Sequence, residues 1–153
     1  MTTFRITRRA ALVAGTAGLA MPGIVRAQAE PVRIGAIMSA SGGLAAFVPP
    51  IRAGLVLAFE EINAAGGVLG GRRLQMVEAD DQTNPQVGVT VMTRLVQADN
   101  VAAIIGPMAS GITIAAANAV SIPAGVPIVS PSATAPALSD LADNDTVFRT
   151  AVP

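Results

Sequence analysis

The sequence predicts an α/β fold, a Rossmann-like parallel sheet with helices on both faces, and three observations carry that expectation. Short runs that are apolar throughout alternate with longer segments whose apolar residues recur every three or four positions. Strands without an apolar/polar alternation are buried on both faces, the habit of parallel sheets. A segment of helical period stands between each successive pair of strands and supplies the right-handed crossover that parallel pairing needs.

The elements follow in order. Val32–Met38 (VRIGAIM) is a buried strand that runs into the loop Ser39-Ala40-Ser41-Gly42-Gly43. From Pro49 to Ala65 the apolar residues Ile51, Leu55, Phe59 and Ile62 form one helical face, with Arg52, Glu60, Glu61 and Asn63 elsewhere. Proline at the start and Gly66-Gly67 at the end mark that helix's termini. Arg73–Ala79 is a second strand, closed by Asp80-Asp81. Asn84-Pro85 reads as an N-cap followed by proline in the first turn, and Val87, Val91 and Leu95 make that helix's apolar stripe. Val101–Ile105 is the third strand, Gly111–Ile122 the third helix and Val126–Val129 the fourth strand. The last runs into Ser130-Pro131-Ser132-Ala133-Thr134, and Val147–Thr150 begins a fifth strand.

The first 29 residues stand outside this pattern. Arg5, Arg8 and Arg9 precede an uncharged run, Ala10–Ala20, then a Pro-Gly break and Ala27-Gln28-Ala29. A basic region, a short apolar region and an A-x-A site are the parts of a signal peptide. Eleven uncharged residues fall short of the roughly 20 that span a bilayer. Arg8-Arg9 after Thr7 resembles a twin-arginine (Tat) signal, with Ala11 where that signal prefers a large apolar residue. The expected organisation is a leader over 1–29 and one folded unit over 30–153, exported from the cytoplasm.

Composition then removes function classes. Four of the ten arginines lie in the leader and all ten acids lie after it, which leaves six against ten, or −4, for residues 30–153. A mildly acidic surface argues against nucleic acid or anionic membrane as a partner. The chain has no cysteine, so it forms no disulfide or thiolate metal site of its own. It also has no His, Tyr or Trp, which leaves it without a Ser-His triad, histidine-ligated zinc or imidazole acid–base catalysis. No catalytic, cofactor or metal residue is expected.

In parallel sheets, ligands bind beyond the carboxyl ends of the strands. That selects the loops Ser39–Gly43, Asp80–Asn84, Gly106–Thr113 and Ser130–Thr134. The first lacks the glycine spacing of a phosphate cradle, and Gly66–Gly71 lies at the opposite edge as a helix stop and turn. Asp80 and Asp81 are adjacent on an extended chain and point to opposite faces, so they read as solvated or loop-stabilising acids rather than a dyad. Ser110 is expected at the N-cap of the third helix, where backbone N–H groups lack intrahelical partners and suit a carboxylate. Gly111 opens the backbone to a ligand, and Thr134, with free main-chain groups at Ser132 and Ala133, adds a second hydroxyl. Ordinary capping by Ser110 is the competing reading of the same residue.

The runs IGAIMSASGG, EEINAAGGVLGG, DNVAAIIGPMASG, GVPIVSPSATAPAL and VFRT resemble the leucine/isoleucine/valine-binding protein family. These are periplasmic receptors of branched-chain amino-acid ABC transporters with the type I periplasmic-binding-protein fold. The resemblance extends from Val32 to Thr150. It implies a two-lobed clamshell, of which these residues form part of the N-terminal lobe, with the second lobe outside the chain. It implies a monomeric, non-enzymatic receptor that needs no cofactor and hands its amino acid to a membrane permease. A ligand-sensing domain of a receptor or regulator with the same lobe is the alternative. By motif position, Ser110 binds the ligand carboxylate. Thr134 meets carboxylate and ammonium, with the backbone of Ser132 and Ala133 completing the cradle. Phe47 lies over the ligand, where the family often carries tyrosine. Thr83 and Ala109 replace a cysteine pair of some members. Charge-assisted hydrogen bonds supply roughly 1.5–3 kcal/mol each, and micromolar affinity needs about 8 kcal/mol net. One lobe alone is therefore expected to hold an amino acid weakly.

Overall fold

A computed structural model describes residues 30–152; the expected leader, 1–29, lies outside the described residues. The chain runs β1 (Val32–Met38), a 3-10 turn (Ala45–Phe47), α1 (Val48–Ala64), β2 (Leu74–Asp80), α2 (Pro85–Gln97) and β3 (Ala103–Ile105). It continues with α3 (Ser110–Ala116), a π-helical stretch (Ala117–Ser121), a last turn (Ile122–Ala124), β4 (Ile128–Ser130), a second 3-10 turn (Pro136–Leu138) and β5 (Val147–Arg149). The five strands form one parallel sheet in the order β2-β1-β3-β4-β5. The α/β expectation holds, as does the order of the elements along the chain.

Both faces of the sheet are covered, unequally. On one face, Ile37, Ile104 and Ile128 pack with Met92 and Leu95 of α2 and with Ala116, Ala117 and Val120 beyond them. On the other, Val48 opens α1 against Ala36, Met38 and Met108, with Ile51 and Leu55 half-buried beside them. Val48 is the one fully buried residue of α1, although it precedes the expected start at Pro49. Ile62, the last member of the expected stripe, is 38% exposed.

The α2 stripe also shifts. Asn84 caps the helix as expected, its side-chain oxygen accepting from the N–H groups of Gln86 at 2.9 Å and Val87 at 3.3 Å. The buried line, however, is Gly88, Met92 and Leu95, while Val87 and Val91 are half-buried. Crossing by α3 causes the shift: a Cβ on Gly88 would collide with the Ile112 side chain. The third helix begins one residue before the expected Gly111, and its helical path reaches Ala124 through the π stretch. Gly125, in the left-handed region at φ 65°, ends it.

Candidate functional site

The direction of chain progression reverses at β1: β2 lies on one side of it and β3 on the other. The loops after β1 and β3 therefore diverge and leave a crevice at the carboxyl edge, the usual ligand position in open α/β sheets. Gly106 turns the chain out of β3 at φ 101°, where any Cβ would strike the Ile37 carbonyl of β1. Only glycine lets the two strands part at that distance.

Ser110 is the first residue of α3 rather than its cap. Ala109 occupies the N-cap, and no side chain caps this helix. The Ser110 hydroxyl reaches the neighbouring loop after β4 and accepts hydrogen bonds from the N–H groups of Thr134 at 3.0 Å and Ala135 at 3.1 Å. With two N–H groups on its oxygen, its own O–H proton has no acceptor among the described residues and is free to donate. The expectation of a capping serine is corrected: the N–H groups it satisfies lie 24 and 25 residues away.

The loop after β4 is held from below by buried hydroxyls. Ser130, with no exposed surface, donates to the Pro107 carbonyl at 2.6 Å and accepts from the Ala133 N–H at 3.1 Å. Ser132 donates its hydroxyl to the Met108 carbonyl at 3.0 Å. Thr113, also fully buried, turns its hydroxyl back to the Pro107 and Ala109 carbonyls. One of the two expected free main-chain groups, that of Ala133, is thus engaged. Ala133 is buried with its N–H on Ser130, and the Thr134 N–H is on Ser110. Their oxygen acceptors were not legible because a serine next to a turn has many local alternatives. The Thr134 hydroxyl is exposed and has no partner among the described residues. Gly111 is exposed, with open space where a Cβ would stand.

Across the crevice, Phe47 ends the 3-10 turn and is 60% exposed. The adjoining Val48 shares an apolar cluster with Met108, two residues before Ser110, which brings the aromatic ring's segment and the serine to one edge. The two acids at the end of β2 diverge as predicted, but their environments do not match. Asp80 accepts from the Ser41 hydroxyl at 2.7 Å and from the Gln82 N–H at 2.9 Å near the surface. Asp81 has no exposed surface; one oxygen accepts from the Ser39 hydroxyl at 2.7 Å and the Thr83 N–H at 2.9 Å. Its other oxygen is buried without a partner among the described residues. The solvated reading is therefore corrected for Asp81, which ties the β1 loop to the start of α2. Thr83 completes the tie, its hydroxyl donating to the Ser41 carbonyl at 3.2 Å.

An open parallel sheet with a crevice at its switch point places the chain in the α/β class of folds. The chain belongs to the periplasmic binding protein family, which it matches over residues 31–152. It is 34% identical to the Leu/Ile/Val-binding protein BraC3 of Rhizobium johnstonii over 71% of its length and 29% of the relative's. It is 33% identical to the Leu/Ile/Val-binding protein of Escherichia coli K12 over 84% of its length and 34% of that protein's. Among solved structures, it resembles the branched-chain amino-acid substrate-binding protein LivJ of Streptococcus pneumoniae, in complex with isoleucine. That likeness has a TM-score of 0.74 and 36% identity, covering 80% of this chain and 34% of the other. A substrate-binding protein of Desulfitobacterium hafniense, in complex with Leu, follows at a TM-score of 0.69 and 34% identity, covering 78% and 34%. The chain spans about a third of the length of the relatives it matches.

Proposed function

We propose that the chain forms part of the N-terminal lobe of a periplasmic receptor that captures an amino acid, of the branched-chain class, or a related small carboxylate or amide, for an ABC importer and presents it to the membrane permease. The leader-like residues 1–29 and the family's periplasmic members support that location. The receptor binds without chemistry: the crevice offers hydroxyl donors and backbone, and the chain has no histidine or cysteine.

The single observation that carries the reading is the Ser110 hydroxyl, whose oxygen is fully occupied by two N–H groups. Its proton is thereby aimed outward as a donor, preorganised for a carboxylate oxygen. The N–H groups of Ser110 and Gly111, which begin the helix, add to it. The Thr134 hydroxyl, free to donate or accept, bridges carboxylate and ammonium. Ser132 contributes its main chain, and Ala133 acts by shaping the turn. Phe47 lays an apolar surface over the solute, and closure of a second lobe excludes water and strengthens every polar contact.

Isothermal titration of the intact gene product against neutral amino acids tests this. Binding in the micromolar range needs about 8 kcal/mol, and the Ser110→Ala/Thr134→Ala double variant removes two bonds to a charged group, roughly 1.5–3 kcal/mol each. The expected loss is about 100-fold or more. A double variant that binds as tightly as the parent overturns the assignment.

A further inference from the structure

Phe148-Arg149-Thr150 is distinctive in the sequence and has no part in the cradle described above. Its first two residues end β5, one of the sheet's two edge strands, where Arg149 stands in register with Ser130 of β4. Thr150 holds the near end of the following loop: its N–H donates to the Ser130 carbonyl at 3.1 Å and its hydroxyl to the Pro131 carbonyl at 3.2 Å. Arg149 holds the far end. One guanidinium nitrogen donates to the Ala135 carbonyl at 2.8 Å and the other to the Ser139 hydroxyl. The ion pairs among the described residues, Arg52–Glu78 and Arg94–Asp99, do not include it. Its planar fork is spent on the loop, not on an acid.

Ala135 is consequently gripped from two sides, its N–H by Ser110 and its carbonyl by Arg149. We infer that Arg149 is a positioning residue for the solute site: from the sheet edge it fixes the turn that delivers the Thr134 and Ala135 N–H groups to the Ser110 hydroxyl. The inference deepens the proposed function and rests on it for its effect on binding. Without the guanidinium, the Ala135 carbonyl is released and the turn loses its outer anchor. The Ser110 oxygen then regains a lone pair, and its proton no longer has one preferred direction. Lysine replaces the fork with a single ammonium and cannot reproduce both bonds in their fixed geometry.

The test uses the intact protein as parent, Arg149→Gln and Arg149→Lys, with Ser110→Ala as reference. Titration with L-leucine and L-isoleucine is paired with residue-resolved amide hydrogen exchange without ligand. Expected for Arg149→Gln are affinity at least tenfold weaker and exchange at Thr134 and Ala135 at least tenfold faster. The amides of Ile104 and Ile128 in the sheet stay unchanged, and Arg149→Lys falls between parent and glutamine. Unchanged exchange at Thr134 and Ala135, or faster exchange with unaltered affinity, overturns the positioning role. Exchange that rises equally at Ile104 and Ile128 also overturns it, since the arginine then merely supports the fold. A parent that takes up neither amino acid, or a Ser110→Ala variant that binds like the parent, sinks the solute reading instead. The exchange comparison still decides the clamp.

Discussion

The loop after β4 and the loop after β1 face each other across one crevice, yet they are secured by opposite means. The β4 loop is pinned by hydroxyls that reach carbonyls and N–H groups 23 to 25 residues away, with Ser130 wholly out of water. The β1 loop is moored at its root by Asp81 and Thr83, and then runs out through exposed glycines to a largely exposed Phe47. Rigid polar groups stand on one side and an apolar, weakly held surface on the other. That division suits a ligand whose charged end needs fixed geometry and whose side chain needs only a dry cover.

Breaking the pinned side has the larger expected effect. Ser130→Ala leaves the Ala133 N–H buried without an acceptor, while the Pro107 carbonyl keeps the Thr113 hydroxyl. An orphaned buried donor costs about 1–3 kcal/mol. Urea unfolding should report a loss of that size, and solute affinity should fall with it as the turn loosens. An unchanged unfolding midpoint would show that the loop does not depend on its buried hydroxyl.

Phe47→Ala probes the other side, and its signature is inverted. A side chain already 60% in water adds little to the fold, so stability should stay within about 0.5 kcal/mol of the parent. Affinity, in contrast, should weaken about tenfold, or 1.4 kcal/mol, if the ring lies over the solute as proposed. Calorimetric titration beside thermal unfolding separates the two. A variant that melts early but binds normally would mean that Phe47 belongs to the core and not to the lid.

The difference between these loops also explains what sequence could and could not show. Asn84 was readable as a cap because the N–H groups that donate to its side-chain oxygen are two and three residues on. Ser110 was readable as a hydroxyl at a helix start but not as an acceptor for Thr134 and Ala135, since that pairing exists only after β3 and β4 align. Periodicity located α2 but misjudged its buried line, because the position of Gly88 against Ile112 is set by a second helix. Asp80 and Asp81 are identical in local pattern, and only the strand's two faces separate a surface acid from a buried one. The parallel sense of the sheet followed from the crossovers; the reversal at β1, which makes the crevice, did not.

The smallest effect concerns the mooring of the β1 loop and its dependence on pH. Burial is the largest single influence on Asp80 and acts to raise its pKa. Hydrogen bonds from the Ser41 hydroxyl and nearby backbone N–H groups together outweigh it and hold the carboxyl below the ordinary aspartate value. A folded-state pKa below the unfolded one means that the unfolded chain binds more protons, so stability rises with pH across that interval. The contribution is fully present above the unfolded value, about 3.9, and is lost as pH falls through the folded one. Glu78 is lowered in the same sense by its hydrogen bond to Arg52 and acts equally in parent and variant. Asp80→Asn should therefore be less stable than the parent at neutral pH, with the gap closing in acid below about pH 4. Asp80 is only half-buried, and screening by water keeps the gap small. Urea midpoints for both proteins across that range measure it, and a gap that stays constant into acid would mean that Asp80 holds Ser41 by shape and not by charge.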